Sequence, residues 1–186
     1  MKKLHPFEMQ FNNMIAYGQI NADGTHIEGK MPNYAVFIGS EESERLKAIA
    51  NNDRKEMADG AGDVLICIMG TFIQYHYTLE GLPKYMLENP FNVCEVERSD
   101  IDISKALKNF ANVGESKAAK KHYLFLIWNT IIAFAKNEKL DIEVIFERIA
   151  HNNLLRIQKD ENGKVVVDEN NKIIRKNIHP DLTGTY

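Results

Sequence analysis

Six consecutive apolar residues, VLICIM from Val64 to Met69, sit inside a longer segment of helical character and leave it no polar side. The spacing predicts a helix from Arg54 to about Tyr77, with Asp53 as its N-cap. A helix that is apolar all round cannot lie on a surface and must be enclosed by other elements. The rest of the chain has the segments to do this. Helical periodicity is read at Phe7 to Ile20, with Phe7, Phe11, Met14 and Ile15 on one side. A second helix, capped by Asn33, carries Tyr34, Phe37, Ile38, Leu46 and Ile49. Further helices run from Ser99 or Asp100 through Phe110, from Ser116 to Asn137, and from an Asp141 cap through Ile157. The chain has 186 residues, enough for one domain with a sizeable core.

The end of the chain differs from the rest. ENGKVVV and NNKIIRK are short β-branched runs separated by the turn-rich DENN, the pattern of a hairpin. The expected fold is therefore all-α: a helical bundle over residues 1–157, with a hairpin and tail over 158–186 as part of the same domain. Net charge is −3, which gives no basic footprint for nucleic acid or for an anionic membrane surface. No apolar stretch is long enough to span a bilayer, and the N-terminus carries no signal-peptide pattern, so a cytoplasmic protein is expected. Cys67 and Cys94 show neither metal spacing nor a disulfide framework. The six histidines lack zinc spacing. No Walker A, GxGxxG or GxSxG sequence is present.

Chemistry concentrates immediately before the apolar run. Glu41 and Glu44 lie three apart on one helix, and Glu56, Asp59 and Asp63 lie at offsets of three and seven on the next, so each set shares a face. Like charges at this spacing cost roughly 0.2–0.5 kcal/mol per pair on an isolated helix. Such faces can simply be solvated, with Glu41 and Lys47, or Glu56 and Arg54, as surface charges. Two features favour a site instead. The short ANND link makes the helices antiparallel neighbours, and Asp63 directly abuts the enclosed run. A partly buried carboxylate cluster needs a counter-charge, and Mg²⁺, with its preference for hard oxygen ligands, suits it.

The segment ESERLKAIANNDRKEMADGAGDVL resembles the signature of the MazG-like, all-α nucleoside triphosphate pyrophosphohydrolases. Glu41 and Glu44 match the family's ExxE, with Leu46, Ala48 and Ile49 following as in the family. Asp63, Val64 and Leu65 match the end of its ExxD and the apolar step after it. The Glu expected three residues before Asp63 is Gly60 in this chain. Asp59 can substitute from the next position, or Glu56 and Asp59 can form the pair, or the bundle has become a non-catalytic nucleotide or protein binder. FERIAHNNLLRIQKDENGKVVVDENNKIIRKNIHPDL resembles the close of a phage and bacterial subgroup related to phosphoribosyl-ATP pyrophosphohydrolase. There Asn153 and Arg156 match the Asn and basic residue, Gly163, Lys164 and Lys172 fall in the hairpin, and Pro180, Asp181 and Leu182 match the end. Residues 78–115 match neither segment and read as an insertion.

The resemblance implies cleavage of a nucleoside triphosphate to the monophosphate and pyrophosphate. It implies Glu41, Glu44, Asp59 and Asp63 as ligands of Mg²⁺ (or Mn²⁺), and Glu56 as a substitute ligand or base alongside Glu41 and Glu44. It further implies Asn153, Arg156 and Lys164 as substrate contacts, and a homo-oligomer, dimer or tetramer.

Overall fold

The computed structural model of the protein describes residues 3–92, 102–169 and 173–186. Among these the chain is predominantly helical: α1 (Pro6–Ala16), α2 (Tyr34–Ala50), α3 (Arg54–Gln74), α4 (Lys84–Glu88), α5 (Ile103–Asn112), α6 (Lys117–Asn137) and α7 (Ile142–Arg156), with a 3-10 turn at Leu79–Gly81 before α4. Caps set the helix starts, at the expected Asn33, Asp53 and Asp141 and also at Ser116. The side chains of Asn33, Asp53, Ser116 and Asp141 accept the N–H of Val36, Glu56, Ala119 and Val144, each satisfying a donor that has no partner inside the helix. His5 and Glu8 form a reciprocal capping box at α1. Three boundaries differ from expectation, the first being α3, which ends at Gln74, short of Tyr77. α5 begins after Asp102, which accepts the Lys105 N–H at 3.1 Å; Ser99 and Asp100 lie outside the described residues. α1 stops at Ala16 rather than Ile20, because Gly18 takes φ +62 and Ile20 pairs with His26 across a tight turn.

α3 is the centre of the bundle, with α1, α2, α6 and α7 all packed against it. Val64, Leu65, Ile68 and Met69 are fully enclosed, as a helix without a polar face requires. The neighbours come very close at three glycines, among them Gly62, where a Cβ would stand 2.3 Å from Ile149 Cδ1. A Cβ on Gly70 would stand 2.5 Å from the Tyr34 ring, and one on Gly60 would stand 3.0 Å from the Cβ of Arg45 and 3.2 Å from its Cα. α2 reaches α3 through the turn at Asn51–Asp53, where Asn52 adopts φ 54, a left-handed conformation that asparagine tolerates better than most residues.

The inward face of α2 mixes apolar Tyr34 and Ile38 with a charged pair. Phe37, Leu46 and Ile49 are exposed, and Ile38, Glu42, Arg45 and Ala48 turn inward. Glu42 and Arg45 are accommodated there as a bidentate pair, with Arg45 Nε and Nη2 donating to the two carboxylate oxygens at 2.7 and 2.8 Å. The Arg45 guanidinium also lies 4.2 Å from the centre of the Phe134 ring. Arg54 pairs with Glu138 on the end of α6, not with Glu56.

Residues 78–92 and 102–115 belong to the same core. Leu82, Met86, Ile103 and Phe110 are buried, Trp128 Nε1 donates to the Pro90 carbonyl at 2.7 Å, and Phe91 packs on both Trp128 and Phe146. After α7, the region expected to form a hairpin shows isolated antiparallel bridges at Ile157–Arg175, Lys159–Val165 and Val167–Ile173. Lys172 lies outside the described residues. The last residues return along α7. Arg148 donates to the carbonyls of Asp181 and Thr183, Asn152 donates to that of Ile178, and Leu182 is buried. Among the described residues no helix is long and apolar enough to cross a membrane.

Candidate functional site

The antiparallel packing of α2 on α3 brings the two acidic segments together beside the end of α7. A cleft of about 340 Å³ opens there, and its lining comes from α1, α2, α3, α7 and the tail. Glu41 and Asp63 supply its carboxylates, and Arg156 and Asn153 face it from α7. Four residues singled out from sequence segments far apart in the chain thus share one cavity.

The remaining acids surround this pair. Asp63 is partly buried, and its carboxyl is held well above the usual carboxylate range by burial, then by Asp59 and Glu41; Arg156 opposes the shift and Glu44 adds to it. Burial, then Glu44 and Asp59, push Glu41 up. Asp59 is raised by burial and by Glu56, with Lys55 and His179 opposing. The carboxyls of Glu41, Asp59 and Asp63 are therefore each held toward the protonated form, by burial first and by neighbouring acids second, and a cation would relieve that. Glu44 and Glu56 are exposed and, like Asp59, stand outside the cleft lining. Among the described residues no group of three or more His, Cys, Asp or Glu side chains is placed to hold a metal ion. Lys164 is also away from the cleft: it is exposed, in a turn where its backbone N–H donates to Asp160 Oδ1 at 2.8 Å.

Gly60 stands at the α2–α3 crossing, outside the cleft lining. A Cβ there would meet the backbone of Arg45, which cannot yield as the end of a flexible side chain can. The missing carboxylate is thus a place where two helices touch. Gly60→Glu is expected to destabilise the fold by about 1–3 kcal/mol, the usual cost of overpacking, without raising any hydrolytic activity. Chemical denaturation beside an activity assay checks this; a stable, more active variant would show that position 60 accepts a ligand.

Several lining residues were not singled out in the sequence. Gln10, Asn13, Gln19 and Tyr34 form a buried polar wall: the Tyr34 hydroxyl donates to Gln19 Oε1 at 2.6 Å, Gln10 Nε2 to Tyr34 Oη at 3.4 Å, and Asn13 Nδ2 to Gln10 Oε1 at 3.4 Å. Asn13 is only 2% exposed, yet its Oδ1 has no partner among the protein groups. The available signal was two amides, Gln10 and Asn13, spaced three apart on the buried stripe of α1 beside Phe7 and Met14. Tyr17 and Arg175 also line the cleft. Tyr17 donates to the Asn153 carbonyl at 2.7 Å. Burial raises the proton affinity of its hydroxyl, against the opposing charges of Arg175 and Arg156. Cys67, one turn after Asp63, also lines the cleft, with its thiol pushed well up by burial and by Asp63.

The cleft therefore offers carboxylates on one wall, guanidiniums on another and amides on a third. No family model, curated protein or solved structure matches the chain.

Proposed function

We propose that this chain is a nucleotide pyrophosphohydrolase of the MazG-like type, cleaving a nucleoside triphosphate to the monophosphate and pyrophosphate. One observation carries the reading: Glu41, Asp63, Asn153 and Arg156 line a single cleft. A nucleotide asks for this mixture, with cation-binding carboxylates, a cationic partner for phosphate, and amides for the edge of a base.

The donor set suits Mg²⁺. Its atoms are hard carboxylate oxygens that repel one another, and Mg²⁺ is commonly held by one or two protein carboxylates with water and substrate phosphates completing its shell. Glu41 and Asp63 would hold the ion, with Glu44 and Asp59 at the rim. Bound Mg²⁺ supplies neutralisation of phosphate charge and polarisation of the phosphoryl group. The protein's own groups do the rest. Arg156 holds phosphate oxygens, and Asn153 contacts phosphate or sugar. A water oxygen bonds to phosphorus as the anhydride bond between the α and β phosphates breaks. Glu41, which lines the cleft, is suited to accept the proton that the water loses. The reading as an oligomer finds support in the exposed Val36, Phe37, Leu46 and Ile49 of α2 and Leu154 and Leu155 of α7, apolar surface of the kind that subunits bury.

Pyrophosphate release across a panel of ribo- and deoxyribonucleoside triphosphates, with Mg²⁺ and with Mn²⁺, tests the proposal. Release from at least one substrate is expected, with Glu41→Gln reducing it by about 10²–10⁴-fold, the range associated with losing a directly participating group. No release from any nucleotide, with the wild-type protein folded, would sink the enzymatic reading. Nucleotide binding without turnover would instead identify a binding protein.

A further inference from the structure

The C-terminal tail places a second guanidinium in the cleft. Arg175 lines it together with Arg156, although they stand nineteen positions apart in sequence. The backbone holds the tail at this point. Arg175 is bridged to Ile157, the residue after α7, and on either side Lys176 N–H donates to the Arg156 carbonyl at 2.7 Å and Gln158 N–H to the Ile174 carbonyl at 3.1 Å. The Arg175 guanidinium lies 4.9 Å from the centre of the Tyr17 ring, a cation–π contact that positions it without neutralising it. Tyr17 is itself fixed by its hydrogen bond to the Asn153 carbonyl. No carboxylate lies within ion-pair distance of either arginine among the described residues, and Arg156 Nε is buried without a hydrogen-bond partner. A buried N–H donor left unpaired is costly, and here it belongs to a cation facing a cavity. Two unpaired guanidiniums converging on one cavity suit the planar, multi-oxygen face of a phosphate group.

We propose that the tail completes the ligand site, with Arg175 and Arg156 forming a two-guanidinium clamp for the phosphates of a polyphosphate chain that lie farthest from the nucleoside. This rests on the nucleotide reading of the cleft and adds a residue and a selectivity: ligands with two or three linked phosphates are held by the tail, and monophosphates are not. Tyr17 is a positioning residue, giving Arg175 a platform beside the cleft while the clamp is empty.

The same clamp would accept inorganic tripolyphosphate and pyrophosphate, so the test compares sources as well as residues. Isothermal titration with Mg²⁺ present would use tripolyphosphate, pyrophosphate, a non-hydrolysable nucleoside triphosphate and a nucleoside monophosphate as probes. Arg175→Gln is expected to weaken the tripolyphosphate and triphosphate ligands about tenfold or more, the scale of a lost charge-assisted contact, while monophosphate binding stays within about twofold. Arg175→Lys should fall between, because it keeps the charge and loses the fork. Hydrogen exchange on the wild-type protein gives a readout that no variant's folding can disturb: the non-hydrolysable nucleoside triphosphate should slow exchange at the amides of residues 174–176. Unchanged affinity in a folded Arg175→Gln, equal loss for mono- and triphosphates, or no protection of the tail would each overturn the clamp. Tight triphosphate binding with inorganic probes inert would mean that the nucleoside is needed to seat the chain in the clamp, which supports a nucleotide source. The clamp and the hydrolytic reading fail separately: pyrophosphate release with Arg175→Gln indistinguishable from wild type defeats only the clamp, and a tenfold loss of polyphosphate affinity without turnover defeats only hydrolysis.

Discussion

Asp63→Asn should yield a protein that melts at a higher temperature and lacks the nucleotide hydrolysis proposed for the wild type. The wild-type carboxylate is partly buried and faces Asp59, Glu41 and Glu44, so its ionised form is disfavoured in the native state. Raising a carboxyl's folded-state proton affinity above its unfolded value means that the native state binds more protons, so stability falls as pH rises through the folded pKa. The stabilisation by Asn is therefore smallest below about pH 4, where both states carry the proton, and largest at neutral and alkaline pH. A gain of about 0.5–2 kcal/mol is expected there, which for a chain of 186 residues raises Tm by about 2–4 °C per kcal/mol. Mg²⁺ should act in the opposite pH sense on the wild type, because it binds the ionised carboxylates. It should raise Tm at pH 8 more than at pH 5.5, and the increase should shrink in Asp63→Asn. Melting curves of both proteins across this range, with and without Mg²⁺, decide the matter. A destabilised Asp63→Asn, or equal Mg²⁺ shifts in both proteins, would remove Asp63 from any cation site.

Arg45→Met has the largest expected effect on stability. Arg45 and Glu42 are each 5% exposed and satisfy one another through two short hydrogen bonds, with Phe134 under the guanidinium and Gly60 against the Arg45 backbone. Removing one partner of a buried pair leaves the other charge uncompensated and typically costs about 3–5 kcal/mol, a fall in Tm on the order of 10 °C at this chain length. Replacing both partners avoids that cost, so Glu42→Leu with Arg45→Met should recover most of the loss or exceed wild-type stability. Urea unfolding of the two single variants and the double variant measures the coupling. The pair also fixes how α2 is rotated against α3, and with it the side on which Glu41 and Glu44 emerge. The single variant should therefore lose activity out of proportion to its unfolded fraction. An Arg45→Met protein within about 1 kcal/mol of wild type would mean that the pair is solvated in solution.

The helices were legible wherever their determinants are local. Asn33, Asp53, Ser116 and Asp141 cap the helices that follow them because a cap needs only a side-chain acceptor and an N–H three residues away. The central place of α3 was legible because a helix without a polar face has one destination. The inward face of α2 was not legible, because it is not set locally. The helix's apolar residues Phe37, Leu46 and Ile49 point outward while a charged pair points in, and nothing local distinguishes a paired buried arginine from a solvated one. At the site, the approach of Glu41 to Asp63 was legible from periodicity and a short link. The polar wall on α1 and the arrival of Arg175 depend on contacts made across most of the chain.

The sequence alone determined the helical segments, the enclosed helix at their centre and the acidic chemistry at its start. Each of these is set by residues within a few positions of one another, through caps and periodicity. Only the tertiary structure decided that Glu41 and Asp63 share a cleft with Arg156, that Gly60 lies where two helix backbones nearly touch, and that the tail returns with Arg175. Those outcomes follow from how apolar faces dock at long range, where an approach of a few tenths of an ångström separates a site for a side chain from a contact that excludes one.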